Sequence, residues 1–226
     1  MSEYLERARS IAHGSNAWTI PEPKPAATVM LLRDGDDGLE VYLMHRSMSM
    51  PFAPGMTVFP GGRVEPRDGG STRACAVRET LEETGVALDE SKLVAWSRWV
   101  TPEVEDRRYD VAFYCAALPA GQHARNITTE AEHGEWMRVT DVLAGFFAGS
   151  ISMLPPTIAT IRELVVFDTV ADVLAVERTI RPLMPRPLLA ADEKTVTWAI
   201  MDVETNELVR PMNGPPASWE SKGKRA

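Results

Sequence analysis

Three glutamates, Glu79, Glu82 and Glu83, crowd the end of one helical stretch, and no other feature restricts the chain as strongly. The stretch runs over about 72–84, with Thr72 as the expected N-cap and Gly85 as the expected left-handed C′ residue. Ala74, Val77 and Leu81 recur at three- and four-residue spacing and supply its expected apolar face. At about 100° per residue, Glu82 and Glu83 fall roughly 60° and 40° to either side of Glu79, so all three face one way. Like charges at these spacings repel, and the last turn of a helix already disfavours anions. Each effect costs from tenths of a kcal/mol to about 1 kcal/mol, with the same sign. A solvated acidic face is one meaning of such a cluster. The other is a site for a hard divalent cation, Mg2+ or Mn2+, which prefers clustered oxygen ligands. The Gly61-Gly62 turn upstream would let a backbone carbonyl, that of Gly61, approach the same ion without a side chain in the way.

Strand-like and helical segments alternate around this helix. Strands are expected at 26–32 and 39–45, joined as a hairpin by a loop of several residues over Arg33-Asp34-Gly35-Asp36-Asp37-Gly38. Residues 47–70 are irregular and rich in Met, Pro and Gly, with a short strand at 57–59; loops of this length usually carry function. Further strands are expected at 92–100, 110–118 and 135–139. Helices follow near 142–148, at 157–167 behind Pro155-Pro156, and at 170–178 behind Asp168-Thr169. A late hairpin occupies 195–203 and 207–211. The predicted organisation is a short helix (3–12) and a proline-rich connector over 1–25, one domain over 26–212, and a polar tail over 213–226. This mixed order fits the α/β class, a sheet with helices on both faces.

Composition excludes several functions. The 226 residues carry a net charge of −8, which argues against a nucleic-acid polymer as partner but not against a small anion bound through metal. No run of about 18 apolar residues is present, and the first residues lack a secretory signal. The chain ends Gly223-Lys224-Arg225-Ala226, without a peroxisomal address, so a cytoplasmic location is expected. Cys75 and Cys115, the two cysteines, read as small buried hydrophobes.

The residues Gly62, Arg78-Glu79-Thr80-Leu81-Glu82-Glu83-Thr84-Gly85 and Val86 resemble the Nudix box, and Phe59-Pro60-Gly61-Gly62 resembles the usual entry to it. The resemblance implies an α/β/α sandwich with a mixed sheet and, here, extra C-terminal helices. It further implies a metal-dependent hydrolase that cuts the diphosphate of a nucleoside diphosphate linked to another moiety. In that family Arg78 orients the glutamates, Glu79, Glu82 and Glu83 bind Mg2+ or Mn2+, and a loop acid ahead of a Trp-bearing strand assists. Glu130, six residues before Trp136, is the first candidate for that acid and Glu132 the second. The resemblance leaves Glu79 and Glu130 as competing candidates for the catalytic base. The box departs from the pattern in two ways: two extra residues lie within 66–71, so the first acid is Asp68 if they follow it, and Thr80 replaces an apolar residue.

The approach 52–62, the stretch 108–114 and Leu154-Pro155-Pro156-Thr157 look similar to the subgroup that includes peroxisomal coenzyme A diphosphatases. Pro51, however, occupies the position of an Arg in the coenzyme A signature of other members. Substrates left open are coenzyme A esters, dinucleotides and nucleotide sugars. Arg107 and Arg108 are candidates for holding substrate phosphate or carboxylate, and Phe52 for stacking on a base. Core packing is the alternative for each aromatic among Phe59, Trp99, Tyr109 and Trp136. His45 is no metal ligand unless a second histidine lies nearby. Helices after Asp141 would cap the cleft or form a homodimer interface. The competing function is a Nudix-fold module that binds a nucleotide without cutting it.

Overall fold

A computed structural model describes residues 3–15, 18–49, 53–192 and 195–212. Its elements in chain order are α1 (Glu3–Ala12), β1 (Lys24–Gly35), β2 (Gly38–Arg46), β3 (Thr57–Val58), β4 (Gly61–Arg63), α2 (Thr72–Thr84), β5 (Val94–Val100) and β6 (Tyr109–Ala117). They continue with β7 (Ala131–Arg138), α3 (Val139–Ala148), α4 (Pro155–Leu164), α5 (Val170–Leu174), β8 (Pro182–Leu189), β9 (Val196–Asp202) and β10 (Leu208–Met212). Contacts divide the chain into two compact units, one of Ala26–Ser97 and Ala112–Thr179, the other of Met1–Pro25, Arg98–Val111 and Ile180–Ala226. The expected α/β class with a mixed sheet is what forms.

In the first unit, strands run in the order β6-β1-β2-β3, with β4 beside β1 and β7 beside β2. β1 and β2 are buried along most of their length, which is why both read as near-continuous apolar runs. Their hairpin is tighter than expected. Gly35 pairs with Gly38, leaving Asp36-Asp37 as a two-residue connection, and an Arg33–Glu40 ion pair of 2.6 Å ties the strands just behind the turn. Val29, Leu31, Met44, Cys75, Ala76, Val86, Tyr114 and Ala116 form the core, and both cysteines are buried and free as expected.

The glycines at 61 and 62 form a strand, not a turn. β4 pairs antiparallel with β1, Ala27 opposite Gly62 and Thr28 opposite Gly61. A Cβ on Gly61 would strike the Ala27 carbonyl and Thr28 backbone, so only glycine permits this pairing. α2 is capped one residue earlier than expected, by the Ser71 hydroxyl accepting from the Ala74 N–H at 3.1 Å; Gly85 ends it at φ 74°. Its buried face also differs. Cys75, Ala76, Thr80, Glu83 and Thr84 point inward, while Leu81 is 46% exposed. Thr80 fits because its hydroxyl donates to the Ala76 carbonyl at 2.8 Å, so no polar group is left bare.

In the second unit the order is β10-β9-β8-β5, antiparallel except for the parallel β8–β5 contact at Pro182 and Leu183. β8 was not expected, because its sequence contains Pro182, Pro185 and Pro187. Pro185 and Pro187 share one parity, so their missing N–H groups lie along one edge, and the pairing with β9 runs unbroken from Leu183 to Leu189. α1 buries Ala8 and Ile11 against Val104 and Trp198, and Tyr4 stacks on Trp198 at 6.1 Å.

The burial of Thr80 makes a direct prediction. Thr80→Val removes a hydroxyl whose acceptor already has a helical partner, and stability in urea should change by less than about 1 kcal/mol. Thr80→Lys buries an unpaired charge and should cost about 3 kcal/mol or more. Equal, small effects would place residue 80 on the surface instead.

Candidate active site

The site is built around Arg78, on the last turns of α2. Its Nε and Nη2 donate to the two oxygens of Asp68 at 2.8 and 2.9 Å. Nη1 donates to Glu79 at 2.8 Å and Glu82 at 3.0 Å, and Nη2 also reaches the Arg63 carbonyl on β4 at 3.0 Å. A second guanidinium, Arg67, bridges Glu82 at 3.0 Å and Glu65 at 2.9 Å. Asp68 is buried, and its Oδ2 also accepts from the Glu65 N–H at 2.7 Å. Paired with Arg78 in this way, its carboxyl is held down at about 2.

Glu79 and Glu83 behave differently. A Cβ on Gly62 would overlap the Glu79 carboxylate, so glycine makes room for that acid against β4. Burial raises the Glu79 carboxyl, with its bond to Arg78 acting the other way. Glu83 is buried, and its Oε2 accepts the Gly61 N–H at 2.8 Å. Burial pushes its carboxyl up to about 8; the Gly61 N–H opposes this, and the charges of Glu79 and Glu130 add to it. Beside it Tyr42, on β2, keeps a buried hydroxyl with no hydrogen-bond partner among the described residues, and its phenol is pushed up to about 12 by burial and by Glu83.

These observations test whether a divalent cation fits. Acids raised chiefly by burial, an orphaned phenol oxygen, and Glu79 Oε2 and Glu83 Oε1 without hydrogen bonds among the described residues make an oxygen-rich cluster. That donor set suits Mg2+ or Mn2+. Glu82 is turned toward Arg67 and Arg78, so the three helix carboxylates do not converge on a point, and the chemistry that fits a hard ion lies at Glu79 and Glu83.

The family model described as the NUDIX domain matches residues 22–155, more than half of the chain. The chain belongs to the Nudix family. Among curated relatives, Peroxisomal coenzyme A diphosphatase ndx-8 of Caenorhabditis elegans is 37% identical over 73 residues, 32% of this chain and 31% of that protein. Acyl-coenzyme A diphosphatase NUDT19 of Xenopus laevis is 22% identical across 55% of this chain and 59% of its own. The chain thus spans less than two thirds of either relative. A NUDIX hydrolase from Alicyclobacillus acidocaldarius shares the fold, with a TM-score of 0.63, 23% identity, and coverage of 70% of this chain and 98% of that one. The NUDIX domain of Shewanella oneidensis NrtR, solved with ADP ribose, gives a TM-score of 0.53 at 17% identity, over 74% of this chain and 98% of its own.

Within this Nudix box, Asp68 is followed by two glycines. Gly69 and Gly70 both adopt left-handed backbone, at φ 60° and 83°, and take up the added length between the 3-10 turn Pro66–Asp68 and α2. Asp68 is therefore the acid that meets Arg78. Gly61 contacts Glu83 through its N–H. Glu130 is exposed in the bend before β7, where its carbonyl accepts from Ser47, and its charge reaches Glu83. Glu132 is exposed on β7 and acts on His45.

Arg108 is buried in the other compact unit, donating to the carbonyls of Thr101 at 3.0 Å and Pro21 at 2.9 Å. Its guanidinium satisfies main chain there. Arg107 is exposed in the same segment, and Phe52 lies outside the described residues. Phe59 and Trp99 are buried, as packing residues would be. Sequence reasoning missed Tyr42, whose phenol is pushed up by burial and by Glu83, and Arg46, whose charge acts on Glu83. Neither stands in a motif; each lies on β2 at a position that only strand pairing brings near the helix. Among the described residues no helix is long and apolar enough to cross a membrane.

The Asp68–Arg78 pair sets an acid limit. Its folded carboxyl lies near 2 against about 3.9 unfolded, so its stabilisation is complete above the unfolded value and is lost as pH falls through about 2. Asp68→Asn should cost about 2–3 kcal/mol in urea at pH 6, since it removes the carboxylate that holds a mostly buried guanidinium through two bonds. The gap to wild type should shrink steadily between pH 4 and pH 2; a gap independent of pH would contradict the pairing.

Proposed function

We propose that this chain is a Nudix-type diphosphatase, cutting the diphosphate linkage of a nucleoside diphosphate joined to another moiety with Mg2+ or Mn2+. The observation that carries the reading is Glu83: a buried carboxyl beside Glu79, held by one N–H and without a basic hydrogen-bond partner among the described residues. Glu79, Glu82 and Glu83, with Glu130 and the Gly61 carbonyl, would hold the ion. When bound, it polarises phosphoryl oxygens and lowers the pKa of water. Arg78 keeps Glu79 and Glu82 oriented. The attacking water needs a proton acceptor, a role for which Glu79 and Glu130 compete; the raised carboxyl of Glu79 supports it as a base. Arg46 offers positive charge on the same side as Glu83 and supports binding of the anionic substrate.

Coenzyme A and its esters lead the substrate classes, because both curated relatives are named for that activity. Dinucleotides and nucleotide sugars share the same diphosphate. A panel of these compounds with Mg2+ or Mn2+, followed by product analysis, tests the reading. Glu82→Gln and Glu83→Gln should each lower turnover by more than about 100-fold, beyond the loss typical of an outer-shell partner, with circular dichroism unchanged. Mn2+ should raise the melting temperature of wild type and much less that of Glu83→Gln. Tight nucleotide binding without turnover of any compound would overturn the proposal in favour of a binding module.

A further inference from the structure

Outside the Nudix box, strand pairing assembles a second group of ligand atoms. β2 and β7 are antiparallel, with His45 opposite His133 and Leu43 opposite Glu135. His133 and Glu135 are two apart on β7 and so project to the same face. The His45 and His133 rings stack at 4.1 Å with an interplanar angle of 14°. His45 Nε2 lies 2.9 Å and His133 Nε2 3.6 Å from Glu135 Oε1, and the three ligand atoms all fall within 4.8 Å of one another. A tetrahedral ion with bonds of about 2.0–2.1 Å keeps its ligands about 3.4 Å apart, close to this spacing. Among the described residues, no other group of three His, Cys, Asp or Glu converges so closely.

We propose that His45, His133 and Glu135 form a binding site for a borderline transition ion, Zn2+ foremost, sharing no residue with the glutamates of the Nudix box. Two imidazole nitrogens and one carboxylate oxygen favour Zn2+ over Mg2+, which prefers oxygen alone and near-octahedral geometry. Three protein ligands leave a fourth position for water. The outer support is also present: Thr57 Oγ1 sits 3.1 Å from His45 Nδ1, so Nδ1–H can donate to the hydroxyl and leave the Nε2 lone pair for the ion. Burial and the neighbouring His133 hold His45 toward its neutral, ligating form, while Glu135 and Glu132 act the other way. His133 and Glu135 are exposed enough for an ion to enter from solvent.

The position gives the site a consequence. The β2–β7 register shifts between His45 and Arg46, Arg46 pairs with Ala131, and the Ser47 N–H donates to the Glu130 carbonyl. An ion clamped across His45 and His133 would pin the strand ends that carry Arg46 and Glu130. The test is a calorimetric Zn2+ titration of untagged full-length protein in excess Mg2+, with Co2+ absorption as the spectroscopic readout. Wild type should bind one Zn2+ and give the bands of low-coordinate Co2+. His133→Ala and Glu135→Gln, both at exposed positions, should each weaken that binding at least tenfold while keeping the fold by circular dichroism. Glu83→Gln should leave it unchanged. Binding that survives both site variants, binding lost in Glu83→Gln, or no Zn2+ uptake by wild type would overturn the proposal.

Discussion

Arg78 carries one positive charge into a cluster of acids at a helix end, and the arrangement of the site depends on where its N–H groups point. They reach Asp68, Glu79, Glu82 and the Arg63 carbonyl, joining the loop acid, the helix and β4. A lysine at this position would offer a single point charge and could not hold Asp68 through two parallel bonds. The compensation is partial. Asp68, Glu79, Glu82 and Glu83 face Arg78 and Arg67, and neither guanidinium bonds to Glu83. The carboxyl left without a guanidinium is therefore that of the most buried helix glutamate, which meets a backbone N–H and a phenol without a partner among the described residues, and whose burial opposes ionisation. A site arranged this way has its uncompensated carboxyl where a cation would favour ionisation, and its positive charges where they hold the other acids in place.

Glycines make that arrangement possible. Without a side chain at 61, β4 lies against β1 and presents its N–H to Glu83; without one at 62, Glu79 can lie over the strand. Burying Glu83 then fixes the rotation of α2. Ala76, Thr80 and Glu83 share a helical face, so all three turn inward and Leu81 turns out. The packing of this helix is thus set by a polar contact at its end, against the preference of its largest apolar side chain.

That explains which features were legible in the sequence. The α/β class and the placement of α1, β1, β2 and α2 follow from periodicity and turn signals, and the pairing of Arg78 with Glu79 and Glu82 from the resemblance to the Nudix box. The apolar face of α2 did not, because Leu81 outweighs Thr80 in any apolar count although Thr80 hides its hydroxyl on the Ala76 carbonyl. β8 was illegible for a different reason: proline argues against a strand unless the edge it faces is known, and that edge exists only once β9 and β5 are placed. α5 stops at Leu174, four residues short of the expected 178. Arg108 looked like an anion ligand from its neighbours in sequence, yet its partners, Pro21 and Thr101, are main-chain carbonyls that no motif records. His45 needed a second histidine, and His133 became its neighbour only through the β2–β7 register. Local chemistry could be read; long-range register could not.

The central claim is that Glu83 carries a displaced ionisation that a divalent cation relieves. Carbon-13 NMR of glutamate-labelled protein measures this directly. In metal-free protein one carboxyl should titrate near 8 and disappear in Glu83→Gln. On addition of Mg2+ that resonance should remain ionised down to the range of ordinary carboxylates, about 4. A Glu83 carboxyl that titrates near 4 without metal, or one that Mg2+ leaves unmoved, would contradict the account.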